Sequence, residues 1–289
     1  MSEPVSLAII GGSGLYSMSG LTDTKEHNMI TPFGNTSAPI VVGRLENTPV
    51  AFLARHGTGH HITPSEVPYR ANIYALKLLG VERLISVSAC GSLREDFAPG
   101  HIVVPDQIYD HTSRRDRSFF GEGLVAHVGV AEPFCKDLSA YLTSALEAAG
   151  AVTHRGGAFI TIEGPRFSTK AESNAYRSWG MSIIGMTASP EAFLAREAEM
   201  CYSTMAHVTD YDVWHAGEAP VSVDMVIQTL NRNTQLAQDA IRLLARNLVA
   251  DRNCDCESAL ATALITDPSA IPAETKKKLG PLIQKYIGK

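Results

Sequence analysis

The sequence predicts an α/β fold: a single three-layer domain with a mixed, mostly parallel sheet covered by helices on both faces. Three observations predict it. Short apolar runs of strand length alternate with stretches of helical periodicity. The runs are apolar almost throughout, as in strands buried on both sides. A chain of 289 residues with 45% hydrophobic content can bury one large core.

The elements are expected in this order. "SLAIIGG" (6–12) is a buried strand entering a glycine turn. "APIVVGRLENTPVAFLAR" reads as two strands joined by a turn at Glu46 to Thr48. "VPYRANIYALKLLG" has helical spacing and stops at Gly80. "RLISVSACGS" and "HIVVPDQ" are strands, and Lys136 to Gly150 is an amphipathic helix. "GGAFITIEGPRF" is a strand broken at Gly164-Pro165. "SIIGMTASPEAFLAREAEM" is a strand, a turn and a helix. There Ser189 is expected to cap the helix, with Pro190 at its first position and Glu191 favouring its positive end. "CYSTMAHVTDYDVW" is a long strand running into a loop, and Val221 to Leu248 is the longest helix. The expected division is a catalytic domain over 1–250 and a helical extension over 251–289. That extension packs on the domain or on a neighbouring subunit.

Ligands of such sheets bind outside the carboxyl ends of the strands. Six polar or small-residue clusters fall at those ends, at 11–14, 55–56, 88–92, 163–167, 186–187 and 210–212, and are expected to form one composite site. "GGSG" (11–14) lacks the third glycine of a dinucleotide fingerprint, since that register reaches Ser17. It suits a turn presenting N–H groups and the Ser13 hydroxyl to an anion. Arg55 and His56 read as a fixed cation and a second donor for phosphate oxygens. "ARHG" also resembles the opening of the histidine phosphatases, but about fifty residues precede it here. Ser88, Ala89 and Cys90 are small enough for close ligand approach; the alternative is an inert turn. Phe167 is either a core aromatic or a stacking face for a planar ring. Glu163 and Arg166 are expected to pair with each other or touch substrate. Asp210 and Asp212 can protonate a purine ring nitrogen and accept from an exocyclic amine. The other readings are a solvated loop, or a metal site, which would need more oxygen ligands.

Composition excludes several classes. The net charge is −5 without a dense basic block, so no nucleic-acid partner is expected. No apolar run approaches membrane-spanning length, and "MSEPVSLAIIGG" lacks a basic n-region, so neither a membrane nor a signal peptide is expected. Five cysteines suit a reducing cytoplasm. Cys90, Cys135 and Cys201 read as small buried thiols. Cys254 and Cys256 form C-x-C and read as incidental thiols, with a redox or stapling role as the alternative; with no second pair in sequence a zinc site is not expected.

The motifs "IIGGSGL", "TPFG", "LARHG", "YRANIYALK", "SACGSLRE", "AEPFC", "TIEGPRFS", "GMTASPE" and "TDYDVW" together resemble the trimeric purine nucleoside phosphorylase family. The resemblance covers about residues 6–248 and lapses in the tail. It implies the phosphorylase-like fold and reversible phosphorolysis of S-methyl-5′-thioadenosine to adenine and 5-methylthioribose 1-phosphate, a purine and methionine salvage step. By resemblance, phosphate is held by Ser13, Arg55, His56, Ser88, Ala89 and Thr187. Phe167, Ser168, Ile184 and Met186 line the base and ribose, and Asp210 and Asp212 contact the purine. Val223, Val226 and Ile227 form the 5′ pocket. His127 reaches into a neighbour's site in a homotrimer. Inorganic phosphate is a co-substrate, and no cofactor or metal is implied.

Overall fold

The computed structural model describes residues 4–12, 19–217, 222–249 and 251–287. The strands run in order β1 (Leu7–Gly11), β2 (Thr22–His27), β3 (Ile30–Thr31), β4 (Gly34–Asn35), β5 (Ile40–Leu45) and β6 (Thr48–Ala54). After helix α1 (Tyr69–Leu78) come β7 (Arg83–Ser92), β8 (Ile102–Val104) and β9 (Gln107–His111). Helix α2 (Lys136–Ala148) leads to β10 (Thr153–Arg155) and β11 (Ala158–Ile162), and α3 (Lys170–Ser178) to β12 (Ile183–Gly185). Helix α4 (Ala188–Glu197), β13 (Cys201–Asp210), α5 (Val223–Asn247) and α6 (Ala273–Ile287) complete the chain.

At the centre of the sheet, β13, β7, β1 and β6 lie side by side and parallel. Their carboxyl ends therefore open on one edge. β5 and β8 flank this block antiparallel, and β12 joins β7 antiparallel, bringing β11 and β9 with it. Every residue of β1 and of β13 is buried; β1 is apolar throughout, as burial on both faces favours, whereas β13 carries buried Ser203, Thr204, His207, Thr209 and Asp210.

Alternation along β1 divides the core into two layers. Ala8 and Ile10 pack with Ile73 and Leu76 of α1, Leu194 of α4, and Leu279 and Ile283 of α6. Leu7 and Ile9 pack with Leu138 and Leu142 of α2 and Ile241 and Leu244 of α5. Each of the leucine and isoleucine side chains contributes roughly 1.5–3 kcal/mol when fully buried. α6 lies against α1 of its own chain, where the Tyr74 hydroxyl donates to the Lys278 carbonyl at 2.9 Å.

Local chemistry closes the elements. Glu46 and Asn47 both have positive φ (51° and 67°), as a two-residue hairpin turn between β5 and β6 requires. After α1, Gly80 has φ +87° and the Val81 N–H returns to the Leu76 carbonyl at 3.1 Å, the left-handed stop expected of a glycine.

One expectation needs correction. Cys135 at the start of α2 and Cys201 at the start of β13 meet Cys254 and Cys256, so the second cysteine pair missing from the sequence is assembled in space.

Candidate active site

The carboxyl end of β13 carries two buried acids. Asp210 is its last residue, and its carboxylate accepts from the Thr209 hydroxyl at 2.7 Å and the Asp212 N–H at 2.8 Å. Burial pushes Asp210 up to about 6 against those two donors, with the Asp212 charge adding to the rise. Burial also raises Asp212, opposed by the Ser173 hydroxyl, the Val213 N–H and the Ser168 hydroxyl. Neither serine closes a hydrogen bond with good geometry. Asp212 Oδ2 and both serine hydroxyls are buried without a partner. Ser168 and Ser173 are held there by α3, whose start is fixed by a reciprocal Thr169–Glu172 capping box.

Gly91 of β7 permits this approach. A Cβ there would lie 3.0 Å from Asp210 Oδ1, 3.1 Å from Ile184 and 3.2 Å from Asp212. Three residues earlier on the same strand, the Ser88 hydroxyl hydrogen-bonds the Thr187 hydroxyl at 2.9 Å. Thr187 reaches it because β12 runs antiparallel to β7, pairing Ile184 with Gly91 and so carrying Met186 and Thr187 back towards Ser88. At about 3.3 Å per residue, the hydroxyl pair and the carboxyl pair lie about 10 Å apart along β7. Ala89, half-buried, lies between them. Met186 is brought in by Gly164, where a Cβ would meet its sulfur at 2.6 Å.

His56 follows β6. Its Nδ1 lies 2.9 Å from the Ile62 carbonyl and so carries the proton in the neutral ring. Burial first and the Arg55 charge second lower it to about 4. The ring is therefore neutral near pH 7 and offers Nε2 as an acceptor. The donor role expected of His56 would therefore require the protonated ring, since the neutral ring offers an acceptor at Nε2.

Arg55 departs further from expectation. Its guanidinium is buried and forks onto Glu191, with Nε to Oε2 at 2.7 Å and Nη2 to Oε1 at 2.9 Å. Nη2 also donates to Ser86 Oγ at 2.7 Å, and Nη1 to the Val87 carbonyl at 3.2 Å. The fork expected to hold phosphate is occupied by a carboxylate of the same shape. Glu191 is accordingly a buried counter-ion rather than a helix-end charge. Ser189 is extended (φ −102°, ψ 136°) as a cap residue should be, but its buried hydroxyl has no hydrogen bond and caps nothing.

Two further polar residues escaped the sequence reading. Arg115, buried, donates to the carbonyls of Met186 and Ser189 at 2.7 Å each and to that of Glu163 at 2.7 Å, tying β11, β12 and α4 together. Only its place in "SRRDR" marked it, and nothing distinguished it there from the neighbouring arginines. The other is Ser173. Glu163 takes Arg115 as partner, not Arg166. Burial works to raise Glu163, but donors from Ser113, Ser65, Arg114 and Arg115 bring it down to about 2. Arg166 instead pairs with Glu172 at 2.6 Å.

The remaining expected residues lie at the surface of the single chain. Phe167 is 38% exposed, Val223 60% and Ile227 49%; Val226 is half-buried and His127 exposed. Ser13 lies outside the described residues. Burial pushes the Cys90 thiol well up, which suits an inert residue and not a nucleophile.

Residues 6–246 match the family described as "Phosphorylase superfamily". The chain belongs to that superfamily. It is 54% identical over 282 residues to the S-methyl-5'-thioadenosine phosphorylase of Geobacter sulfurreducens, covering 97% of this chain and 99% of that one. The protein of the same name from Koribacter versatilis is 52% identical over 282 residues, with 98% and 97% covered. Among solved structures, a methylthioadenosine phosphorylase from an antarctic soil metagenomic library has a TM-score of 0.93 at 48% identity, covering 97% of this chain and 99% of that one. The methylthioadenosine phosphorylase of Schistosoma mansoni in complex with adenine has a TM-score of 0.84 at 35% identity, covering 89% and 96%. With 97% of the chain covered, likeness extends well into the tail, where it was expected to lapse. No described helix is long and apolar enough to cross a membrane.

Proposed function

We propose that this chain is a pentosyltransferase that catalyses reversible phosphorolysis of S-methyl-5′-thioadenosine, giving adenine and 5-methylthioribose 1-phosphate. One observation carries the reading: a hydroxyl pair suited to an anion and a buried carboxyl pair lie beside β7 about 10 Å apart. A ribose between them, with phosphate on one side and base on the other, fits that spacing. The relatives' names supply the same substrate.

Phosphate lies against Ser88, Thr187 and the Ala89 backbone, with His56 accepting from its protonated oxygen and Ser13 completing the cradle. Arg55 positions this wall from behind through Glu191 and Ser86. The glycosidic C–N bond lengthens and C1′ becomes cationic, which the phosphate charge favours. Asp210 delivers its proton to N7 so that adenine leaves neutral, and Asp212 Oδ2 accepts from the 6-amino group. Ser168, Ile184 and Met186 line base and ribose, and Phe167 covers the ring. Val223, Val226 and Ile227 take the methylthio group. This chemistry uses inorganic phosphate and needs no cofactor.

The surface position of Phe167, Val223, Ile227 and His127 supports a homotrimer in which a neighbouring copy covers this end of the site. The free thiols suit the cytoplasm. The test is phosphate-dependent release of base from methylthioadenosine and from its inosine analogue. Adenine release that needs phosphate is expected. Release without phosphate, preference for the inosine analogue, or no release would overturn the reading.

A further inference from the structure

The four cysteines gathered at the opposite end of β13 have no part in this chemistry. The Sγ atoms of Cys135, Cys201, Cys254 and Cys256 all lie within 4.8 Å of one another, and three of the four residues are buried. The Cys201 and Cys254 sulfurs are 3.3 Å apart, and all five cysteines of the chain are free thiols. Around a tetrahedral zinc with Zn–S bonds of about 2.3 Å, neighbouring sulfurs are about 3.8 Å apart. The observed separations bracket that value.

The surroundings are those of thiolates. Cys135 is the N-cap of α2, and its sulfur accepts from the Leu138 N–H at 3.5 Å at the positive end of the helix. Arg196 Nη1 donates to Cys256 Sγ at 3.4 Å. Arg83 and Arg252 line the same recess as Cys135, Cys201 and Cys254. A zinc bound by four thiolates carries two negative charges, which helix end and guanidinium groups neutralise. These guanidiniums also hold carboxylate partners, Arg196 with Asp255 at 3.2 Å and Arg252 with Glu257 at 3.1 Å.

We propose that Cys135, Cys201, Cys254 and Cys256 form a closed tetrathiolate site for one thiophilic divalent cation, zinc by preference. The cation enters as the thiols release the protons they carry, and no sulfur is oxidised. With all four positions filled by protein, no position remains for substrate, so the site is structural. It also stands roughly 30 Å from Asp210, since Cys201 and Asp210 are the two ends of a ten-residue strand. Its effect is to staple the segment around Cys254–Cys256 to the start of α2 and β13.

The test uses full-length protein purified without chelator or an affinity metal. Elemental analysis is expected to find about one zinc per chain. Four thiols should resist a disulfide reagent until a mercurial displaces the metal. The melting temperature should fall on metal removal and recover with zinc. Cobalt(II) added to the stripped protein should give the charge-transfer and ligand-field bands of a tetrahedral tetrathiolate. Cys254→Ser and Cys256→Ser should each lose the bound metal, and Cys90→Ser should keep it. If the serine variants do not fold, the cobalt spectrum of the wild type decides. Reactive thiols without stoichiometric metal, or an intact mass lowered by the two hydrogens of a disulfide, would overturn the proposal.

Discussion

Two buried charges set the residue-scale expectations. Asp210, with its ordinary value raised to about 6 by burial, holds a proton through pH values at which a surface aspartate is ionised. As the acid at N7 it works only while protonated, so kcat/KM of the free enzyme should fall as pH rises through about 6. Asp210→Asn should lower kcat/KM for methylthioadenosine by on the order of 10²–10⁴ and remove that alkaline limb. It should lose much less with the inosine analogue, whose oxo group an amide can serve. A pH–rate profile of both proteins on both nucleosides checks this, and equal losses would remove Asp210 as the base reader. Arg55→Ala is a different experiment. It strands the Glu191 carboxylate in the core, which costs about 3–5 kcal/mol. The loss should appear in denaturant unfolding, and Arg55→Met combined with Glu191→Leu should recover much of it. The arginine itself was legible in "LARHG", but its partner was not. Glu191 lies 136 residues away, and sequence offers no view of a contact that long.

Among the elements, the strands and helices were legible because their periods differ, and each main apolar run became the expected element. Direction was not. β12 has three residues, and nothing in "IIG" tells whether it runs with or against β7. That direction brings Thr187 to Ser88. Ser88→Ala removes one hydroxyl from the pair and should raise the phosphate KM several-fold, since a lost hydrogen bond costs about 0.5–1.5 kcal/mol. Gly91 is the matching test at the other end of the site. Gly91→Ala sets a methyl against Asp210, Ile184 and Asp212, and overpacking of this kind costs about 1–3 kcal/mol. Adenine affinity by calorimetry should fall, while the phosphate KM changes little. An unchanged adenine affinity would show that the carboxylates have room to move.

Over the whole molecule, the domain was legible and its long-range joins were not. The cysteine cluster draws on residues 135, 201, 254 and 256, and only the last two are neighbours in sequence. Glu197 is a second such join, its carboxylate accepting from the Phe119 N–H at 2.7 Å. Burial raises Glu197 to about 7 against that donor. The folded chain therefore holds a proton that the unfolded chain has released. Stability from this group is fully present below about 4.5 and is lost as pH rises towards 7. Glu197→Gln keeps an acceptor and has no charge to bury. Its stability relative to the wild type should grow between about pH 4.5 and 7 and level off above. Melting temperatures of both proteins across that range check the sign. Sedimentation should give three chains per particle, and a fully active single chain would refute the shared site.

The full burial of β13 has a consequence for how the molecule opens. A strand with no exposed residue, paired on both sides, exchanges its amide hydrogens only when its neighbours part as well. Asp210 is welded to that cooperative unit. The first turn of α5, with Val223 and Ile227 exposed in the single chain, belongs to the low-stability end wherever no neighbouring copy covers it. Deuterium uptake should separate them, slow along Cys201–Asp210 and faster at the start of α5 when the copies are dissociated. The half of the site that reads the base would then be fixed for as long as the protein is folded, while the half that takes the 5′ group can adapt with each turnover.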